Sequence, residues 1–439
     1  MNDCLGREYH EATKHSWLSV RQNPGRLDWE NQPASMKFYP DDLPRIKLSK
    51  AYKAHTFIYH IGGITAKKSY PGVTYYLRTN PSAGALYPNE LYFQARGVEG
   101  FADGIYHFEV GTSSAVRLVG IGDGEGLEPL LGERRAMRGL LFFVSAVWYR
   151  SAWKYRDRAY RYCLLDAGHM LGGIEAGAYL YGHAWRIAYG IDLAGLGRFF
   201  GFKEEEGFLS AAICAVPDRA REVRVPDATP PRTDPLGGVP AVTNPLIAQA
   251  YRRTMAPHGC RKEPRFPELS YHKEAWEEAI LRRRSIREFP KEPISKGHYE
   301  TLGKALRLPI PSDCDASLRL YAVVNRVEGL PPGIYRGNEC LKRGDFAQKA
   351  GYLCLEQRLG SDSAVTYFLL SDACDYRALY QKAGHLGQRL YLVSEYLGLG
   401  CSGIGAYYDD EVRAFLKDDG MVLYALAVGK KEPNSTERC

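Results

Sequence analysis

Two α+β domains of one design, fused in tandem, are what this 439-residue sequence describes. The reading rests on a repeated set of motifs, on a proline-rich stretch between the repeats, and on a buried strand followed by a long helix in each half. Pro81-Ser82, Gly104-Ile105-Tyr106 and Ala167-Gly168-His169 return in the same order as Pro311-Ser312, Gly333-Ile334-Tyr335 and Ala383-Gly384-His385. The first two pairs keep the same separation to within one residue; the third pair lies closer, so the intervening segment is shorter in the second copy. Solenoid repeats run about 20 to 50 residues. Motifs this far apart in fixed order mean two copies of a whole domain, able to form an internal pseudo-dimer.

Residues 217 to 267 hold 10 of the 25 prolines. Proline fixes φ and removes a backbone donor, so this stretch is expected to exclude regular helix and central strand and to run as an extended linker. The expected boundaries are 1–217 for the first domain, 218–267 for the linker and 268–439 for the second domain. Leu140 to Val147 and Ala364 to Leu370 are short, apolar and rich in aromatic or β-branched residues, the pattern of buried strands. Each precedes a polar stretch and then a helix. Ala167, Leu171, Ile174 and Ala178 form a stripe in the first copy, as do Leu386, Leu390, Val393 and Leu397 in the second. Such stripes suit helix against helix, either between copies or within the core of each.

Composition narrows the function classes. Hydrophobic residues make up 45% and charged residues 25%, as in ordinary globular proteins. The net charge of +7 is mild for this length and no Lys/Arg run forms a nucleic-acid arm. No basic-then-apolar leader and no run of about 18 apolar residues is present, so the expectation is a cytoplasmic protein that does not span a membrane. The ten cysteines form no CxxC or Cys-His cluster, which predicts free thiols and no metal site.

Four segments can carry chemistry. Arg283-Arg284-Ser285-Ile286-Arg287 follows a helical segment, Glu274 to Leu281. Guanidinium and hydroxyl donors at this density can converge on one phosphate, although a solvated basic turn has the same composition. Thr13-Lys14-His15-Ser16 is the weaker counterpart in the first copy. Arg78 to Pro88 is a loop of small residues that lets backbone approach a planar ligand. Its counterpart Pro311 to Ala316 carries two carboxylates and no glycine.

Gly398-Leu399-Gly400-Cys401-Ser402-Gly403 matches GxGxxG but follows a helix, whereas a dinucleotide fingerprint follows a strand. It is expected instead to end that helix and lead into a glycine-rich turn, Gly403 to Ala406, with backbone N–H groups turned to a ligand. His183 to Ala188 stands for it in the first copy. Lys154-Tyr155, among cationic neighbours, suits an acid–base pair or a snorkelling surface lysine. His169 and His385 suit packing. No Ser-His-Asp set, P-loop or HExxH occurs.

Taken together, Tyr9 to Ser16, Pro81 to Pro88, Lys154-Tyr155, Leu165-Asp166-Ala167-Gly168-His169, Arg283 to Arg287 and Leu397 to Ala406 resemble the nitroreductase-like flavoprotein superfamily, in particular its SagB-type azoline oxidase branch in tandem form. The resemblance covers most of both copies and omits the linker. It implies, in each copy, a mainly antiparallel sheet flanked by helices, and FMN bound where the copies meet. Arg283, Ser285 and Arg287 would hold the phosphate. Lys430, Lys431 and Arg438 are candidates for a further basic contact. Gly405 and Ala406 would lie near flavin N5, and Gln357 near the pyrimidine edge. Pro81, Ser82, Ala83 and Gly84 would close the site from the first copy.

Lys154 and Tyr155 would take the proton lost as the flavin takes a hydride from a C–C or C–N bond. Oxygen would reoxidise the flavin. The reciprocal site is degraded at each contact, so one FMN per chain is expected. The substrate is expected to be a small molecule or a modified peptide, with other biosynthetic enzymes as partners, no nucleic acid, and a chain that can stand as a monomer. Two alternatives remain open: an NAD(P)H-dependent nitro or quinone reductase, and a scaffold subunit of a biosynthetic complex.

Overall fold

The computed structural model describes residues 6–22, 25, 27–70, 73–255 and 264–432. In chain order the strands of the first half are β1 (Arg45–Lys47), β2 (Ile64–Tyr70), β3 (Val73–Arg78), β4 (Asn89–Arg96), β5 (Gly104–Glu109), β6 (Ser114–Gly120), β7 (Arg135–Val147), β8 (Arg186–Ala188) and β9 (Glu206–Glu222). The second half supplies β10 (Arg319–Val324), β11 (Gly333–Arg336), β12 (Glu339–Arg343), β13 (Val365–Ser371), β14 (Leu399–Ile404) and β15 (Met421–Lys430). One sheet runs β1-β6-β5-β4-β7-β9-β8 and the other β12-β11-β10-β13-β15-β14, while β2 and β3 form a separate hairpin. Without β1, the two sheets have the same strand order by chain position. The ladders between these strands are antiparallel.

The ladders align the copies residue by residue. Tyr106 faces Phe93, Phe93 faces Phe142, Phe142 faces Ala212 and Ala212 faces Ile187. The matching chain is Tyr335, Ala322, Tyr367, Leu426 and Gly403. The repeated Gly-Ile-Tyr therefore holds one place in both sheets. Its tyrosine hydroxyl makes one bond in each, from Tyr106 to the Ala102 carbonyl (2.6 Å) and from Tyr335 to the Pro331 carbonyl (2.7 Å). Strand side chains alternate between faces, so Tyr321 and Val323 join Phe368 and Leu370 in one core. Tyr92, Leu141, Phe143, Ala211 and Ile213 share a core in the first half.

The two long helices, Ala159–Tyr181 and Tyr376–Tyr396, are buried nearly all round rather than along one stripe. Their polar side chains are met by backbone or neighbouring groups: Lys382 donates to the Ala316 carbonyl (3.0 Å) and Arg389 to that of Leu308 (2.6 Å). Capping follows the local sequence. Ser295 accepts the His298 amide at the start of the helix Lys296–Arg307. Asp409, Asp410 and Glu411 place negative charge in the first turn of the helix Asp409–Leu416.

Packing divides the chain into two compact units that are not contiguous in sequence. One gathers Ser270–Leu308 with the described residues of Met1–Arg26 and Ala316–Cys439; the other gathers Pro309–Asp315 with those of Leu27–Leu269. The N-terminal segment thus packs with second-half elements, although 1–217 was expected to form one domain. His10 is fully buried, with Nε2 3.6 Å from Asp409 and Nδ1 3.2 Å from the Tyr380 hydroxyl. The His15 amide donates to Asp409 (2.9 Å). Gly6 has φ +104°, and a Cβ there would lie 2.5 Å from Tyr376 Cγ, so only glycine fits.

The proline-rich stretch departs from the expectation of an irregular linker. Strand β9 runs on to Glu222 through Pro217, which lies beyond the three β9 residues paired with β8 and so needs no donor on that side. Pro245–Thr254 is a helix, because Pro245 occupies its first position, Asn244 caps the Leu246 and Ile247 amides, and no proline interrupts residues 246 to 256. Six of the described cysteines are free, whereas Cys374 is disulfide-bonded, which departs from the expectation of free thiols throughout. Among the described residues no helix is long and apolar enough to cross a membrane, and no group of three His, Cys, Asp or Glu could hold a metal ion.

A buried charge network supports the first-half sheet. Arg150 donates to Glu90 (2.6 Å), to the Tyr87 carbonyl (3.0 Å) and to the Pro235 carbonyl (2.8 Å). His107 lies 2.9 Å from the other Glu90 oxygen. Burial would raise the Glu90 carboxyl, but the Arg150 charge and the His107 bond outweigh it and hold the group well below the usual carboxylate range. Its stabilising effect is therefore present above the unfolded value and is lost only as pH falls far into the acid range. Arg150→Met should cost about 3–5 kcal/mol by leaving Glu90 buried without its guanidinium partner, with His107 alone beside it. Urea unfolding near neutral pH measures this, and Glu90→Gln added to Arg150→Met should recover part of the loss.

Candidate functional site

The Arg283–Arg287 segment begins where the helix Lys273–Arg282 ends. Arg283 is buried, with its guanidinium 5.2 Å from the centre of the Tyr391 ring. The Ser285 and Tyr391 hydroxyls lie 2.8 Å apart, and the Tyr391 hydroxyl also accepts the Gly403 amide at 2.6 Å. Ser285 and Cys401 form a short parallel bridge, with the Ile286 amide donating to the Cys401 carbonyl. Arg284 turns back onto the carbonyls of Leu281 and Arg283, ending the helix. Arg287 is exposed. Tyr391 thus joins the basic segment to β14, and burial raises its phenol pKa. Nothing in the sequence sets this tyrosine apart, since it sits beside Leu390 on a helix whose stripe reads as packing.

Gly403 does not open a turn as expected. After Leu397, Gly398 turns the chain with φ +73° and Leu399–Ile404 forms the edge strand β14; Gly405 and Ala406 follow it, half-buried. A Cβ at Gly403 would lie 1.9 Å from the Tyr424 hydroxyl, which explains the glycine. Gln357 occupies the position before the short helix Arg358–Asp362, without a side-chain capping bond, rather than lying within a helix. Lys430 pairs with Glu292 (3.0 Å) and Lys431 with Glu395 (2.7 Å); Arg438 lies outside the described residues.

In the other unit, the loop after β3 and the Lys-Tyr pair come together. Pro81 is buried and Ser82, Ala83 and Gly84 are half-buried. Ser82 donates to Asp166 (2.5 Å) and accepts the Tyr87 amide (2.9 Å), while the Ala83 amide points to Asp166 (3.4 Å). Gly84 has φ +65°, and Ala85 and Tyr87 also occupy the left-handed region, a strained run for side-chain-bearing residues. A Cβ at Gly84 would lie 2.9 Å from the Tyr155 hydroxyl and 3.3 Å from Lys154 Nζ. Lys154 is exposed near the end of the helix Trp148–Tyr155, and Tyr155 stacks on Tyr162 with ring centres 4.1 Å apart. Asp166 directly precedes the repeated Ala-Gly-His motif, yet no residue type or spacing marks it as part of this loop.

The counterpart positions differ in kind. By ladder register, Ile187 to Gly190 match Gly403 to Ala406, a shift from the expected His183 to Ala188. The amides of Tyr189 (2.9 Å) and Gly190 (2.8 Å) donate to the Asp313 carboxylate. The Ile187 amide donates to the Pro311 carbonyl and the Asp313 amide to that of Ile187. The Pro-Ser segment of the second half therefore lies along β8 through a single parallel bridge at Ser312. Lys14, in the weaker basic segment, is paired with Glu11 and with Asp410.

Comparison with known proteins agrees with this architecture. Residues 280–430 match the nitroreductase family model. A crystal structure of a candidate nitroreductase from Anabaena variabilis superposes with a TM-score of 0.82 and 26% identity, covering 98% of this chain and 100% of that one. A candidate nitroreductase of Methanocaldococcus jannaschii is 25% identical over 179 residues, which is 35% of this chain and 90% of that protein. The chain therefore carries a nitroreductase-family domain within a tandem, nitroreductase-like α+β fold.

Proposed function

We propose that this chain is an FMN-dependent oxidoreductase of the SagB type. Its reaction removes a hydride and a proton from a C–C or C–N bond of a small-molecule or modified-peptide substrate. The observation that carries the reading is the meeting of Lys154 and Tyr155 with the glycine of the Pro-Ser loop. A donor pair set against a loop of small residues is what a planar, hydride-accepting group needs on one side. Within its own unit, the donor set of the second half suits the phosphate of FMN: the Arg283 guanidinium and Ser285 hydroxyl are joined through Tyr391, with Arg287 two residues on. Gly405 and Ala406 would offer backbone N–H groups toward its N5 edge, and Gln357 a side-chain amide toward its pyrimidine edge.

FMN, when bound, would supply the hydride acceptor and pass the electrons on to oxygen. The chain's own part is to hold the substrate, exclude water and take the proton. Lys154 Nζ receives that proton as the substrate gains its double bond, and the Tyr155 hydroxyl orients the acidic hydrogen toward it. The second basic segment and the β8 edge are read as a lost site. Their amides and charge are engaged by Asp313, Glu11 and Asp410, which leaves them unable to serve a ligand.

A reductase that passes hydride from NAD(P)H to a nitro compound or quinone is the second reading, and the two nitroreductase relatives bear on its acceptor alone. Rapid anaerobic bleaching of the flavin absorption by NADPH would select it. For the first reading, denatured protein should release one FMN per polypeptide, measured by absorbance against protein concentration; a ratio of two overturns the single site. Lys154→Ala should retain FMN yet slow substrate oxidation by a factor of ~10² or more, as loss of a general base does. Unchanged turnover removes Lys154 from the mechanism.

A further inference from the structure

We propose that Asp166 is a positioning residue that latches the Pro-Ser loop from the helix Ala159–Tyr181, so that Gly84 is presented to Lys154 and Tyr155, and that protonation of its carboxyl resets the latch. Asp166 is only 4% exposed, and its two oxygens face two consecutive loop residues, the Ser82 hydroxyl at 2.5 Å and the Ala83 amide at 3.4 Å. Ser82 in turn accepts the Tyr87 amide, so the one carboxyl governs both ends of the run Gly84 to Tyr87, in which Gly84, Ala85 and Tyr87 are left-handed and Leu86 is right-handed. That run is strained for Ala85 and Tyr87, and strained backbone persists only where its surroundings hold it. Tyr162, one helical turn before Asp166, stacks on Tyr155, so one helix fixes both the loop and the tyrosine that meets it.

The groups around the carboxyl explain why it can switch. From the loop it faces a hydroxyl and an amide; from its own helix, the Cys163 thiol, whose pKa is raised by burial and by Asp166; and across Gly84, Lys154 and Tyr155. Burial pushes the Asp166 carboxyl up to about 7, against the smaller pull of the Ser82 and Ala83 bonds. Ionised, it accepts from both Ser82 and Ala83. Protonated on the oxygen that faces Ser82, it becomes a donor there, so the Ser82 hydroxyl must accept where it had donated, while the other oxygen still accepts the Ala83 amide. A group raised in the folded state stabilises fully below its unfolded value, and that contribution is lost as pH rises through the folded value. The form that accepts from both loop groups therefore prevails above the folded value, where this contribution to stability has been lost.

The inference rests on the reading above only in assigning the posed loop to a cofactor site. Hydrogen exchange of the full chain, followed by mass spectrometry on peptides spanning residues 78–88, tests the latch without cofactor. At pH 8, Asp166→Ala and Ser82→Ala should each speed exchange of this loop roughly tenfold or more, the loss of a hydrogen bond to a charged group. Exchange in the helix 159–181 should stay slow, which shows that the fold is kept. Wild-type loop protection, corrected for intrinsic rates, should change across pH 6 to 8, and Asp166→Asn, which keeps the side-chain volume, should abolish that change. Unaltered loop exchange in Asp166→Ala, or the same pH dependence in Asp166→Asn, overturns the proposal. FMN titration of the same variants should show a Kd raised about tenfold. If wild-type protein binds no FMN, the cofactor reading fails while the exchange result still decides the latch.

Discussion

The antiparallel register is the constraint from which the rest follows. Side chains alternate along a strand, so a slip of one residue would send every core side chain of that strand to the opposite face. Both sheets hold the same register through four ladders, from the Gly-Ile-Tyr strand to the edge strand beside β9 or β15. That common frame makes Ile187 and Gly403 comparable positions, and it gives their chemical difference a meaning. A bulky aliphatic residue and a glycine on equivalent edges cannot serve the same ligand.

At equivalent edges, the two copies have used their free amides differently. The amides of Tyr189 and Gly190 are bound by Asp313, an internal carboxylate that anchors a neighbouring loop. At the other edge, the Gly403 amide is met by a tyrosine hydroxyl that also reaches Ser285. An edge strand must satisfy or cover its outward groups. Both edges add a short backbone bridge, at Ser312 on β8 and at Ser285 on β14, but one completes it with a carboxylate and the other with a phenol.

Buried polar groups do comparable service beneath the Pro-Ser loop. Arg150 ties Glu90 to the Tyr87 carbonyl at one end of the loop and to the proline-rich stretch at Pro235. Asp166 holds the other end through Ser82. Both carboxyls are buried, yet their values move in opposite directions, because Glu90 has a guanidinium beside it and Asp166 has only a hydroxyl and an amide. A cation converts burial into a fixed ion pair. Neutral donors leave the group poised to titrate.

Much of the fold was legible in the sequence. The repeated motifs, the apolar strand runs and the long helices depend on local composition and period, and each appears where residue pattern places it. Arg283, Ser285 and the small-residue loop stood out as candidates for the same reason, since their residue types are dense in sequence. The helix Pro245–Thr254 was hidden by counting prolines rather than locating the gap between them, and β14 by glycines that resemble a turn. Asp166, Tyr391 and Asp313 were not legible, because each acts on a partner 12 to 124 residues away. The sequence alone determined the duplication, the strand and helix periods and the asymmetry of charge between copies. Only the tertiary structure decided which residues of each copy are true counterparts, which side chain meets which loop, and that the N-terminal segment packs with second-half elements. Those outcomes depend on ladder register and on burial of distant polar groups, which no local pattern encodes.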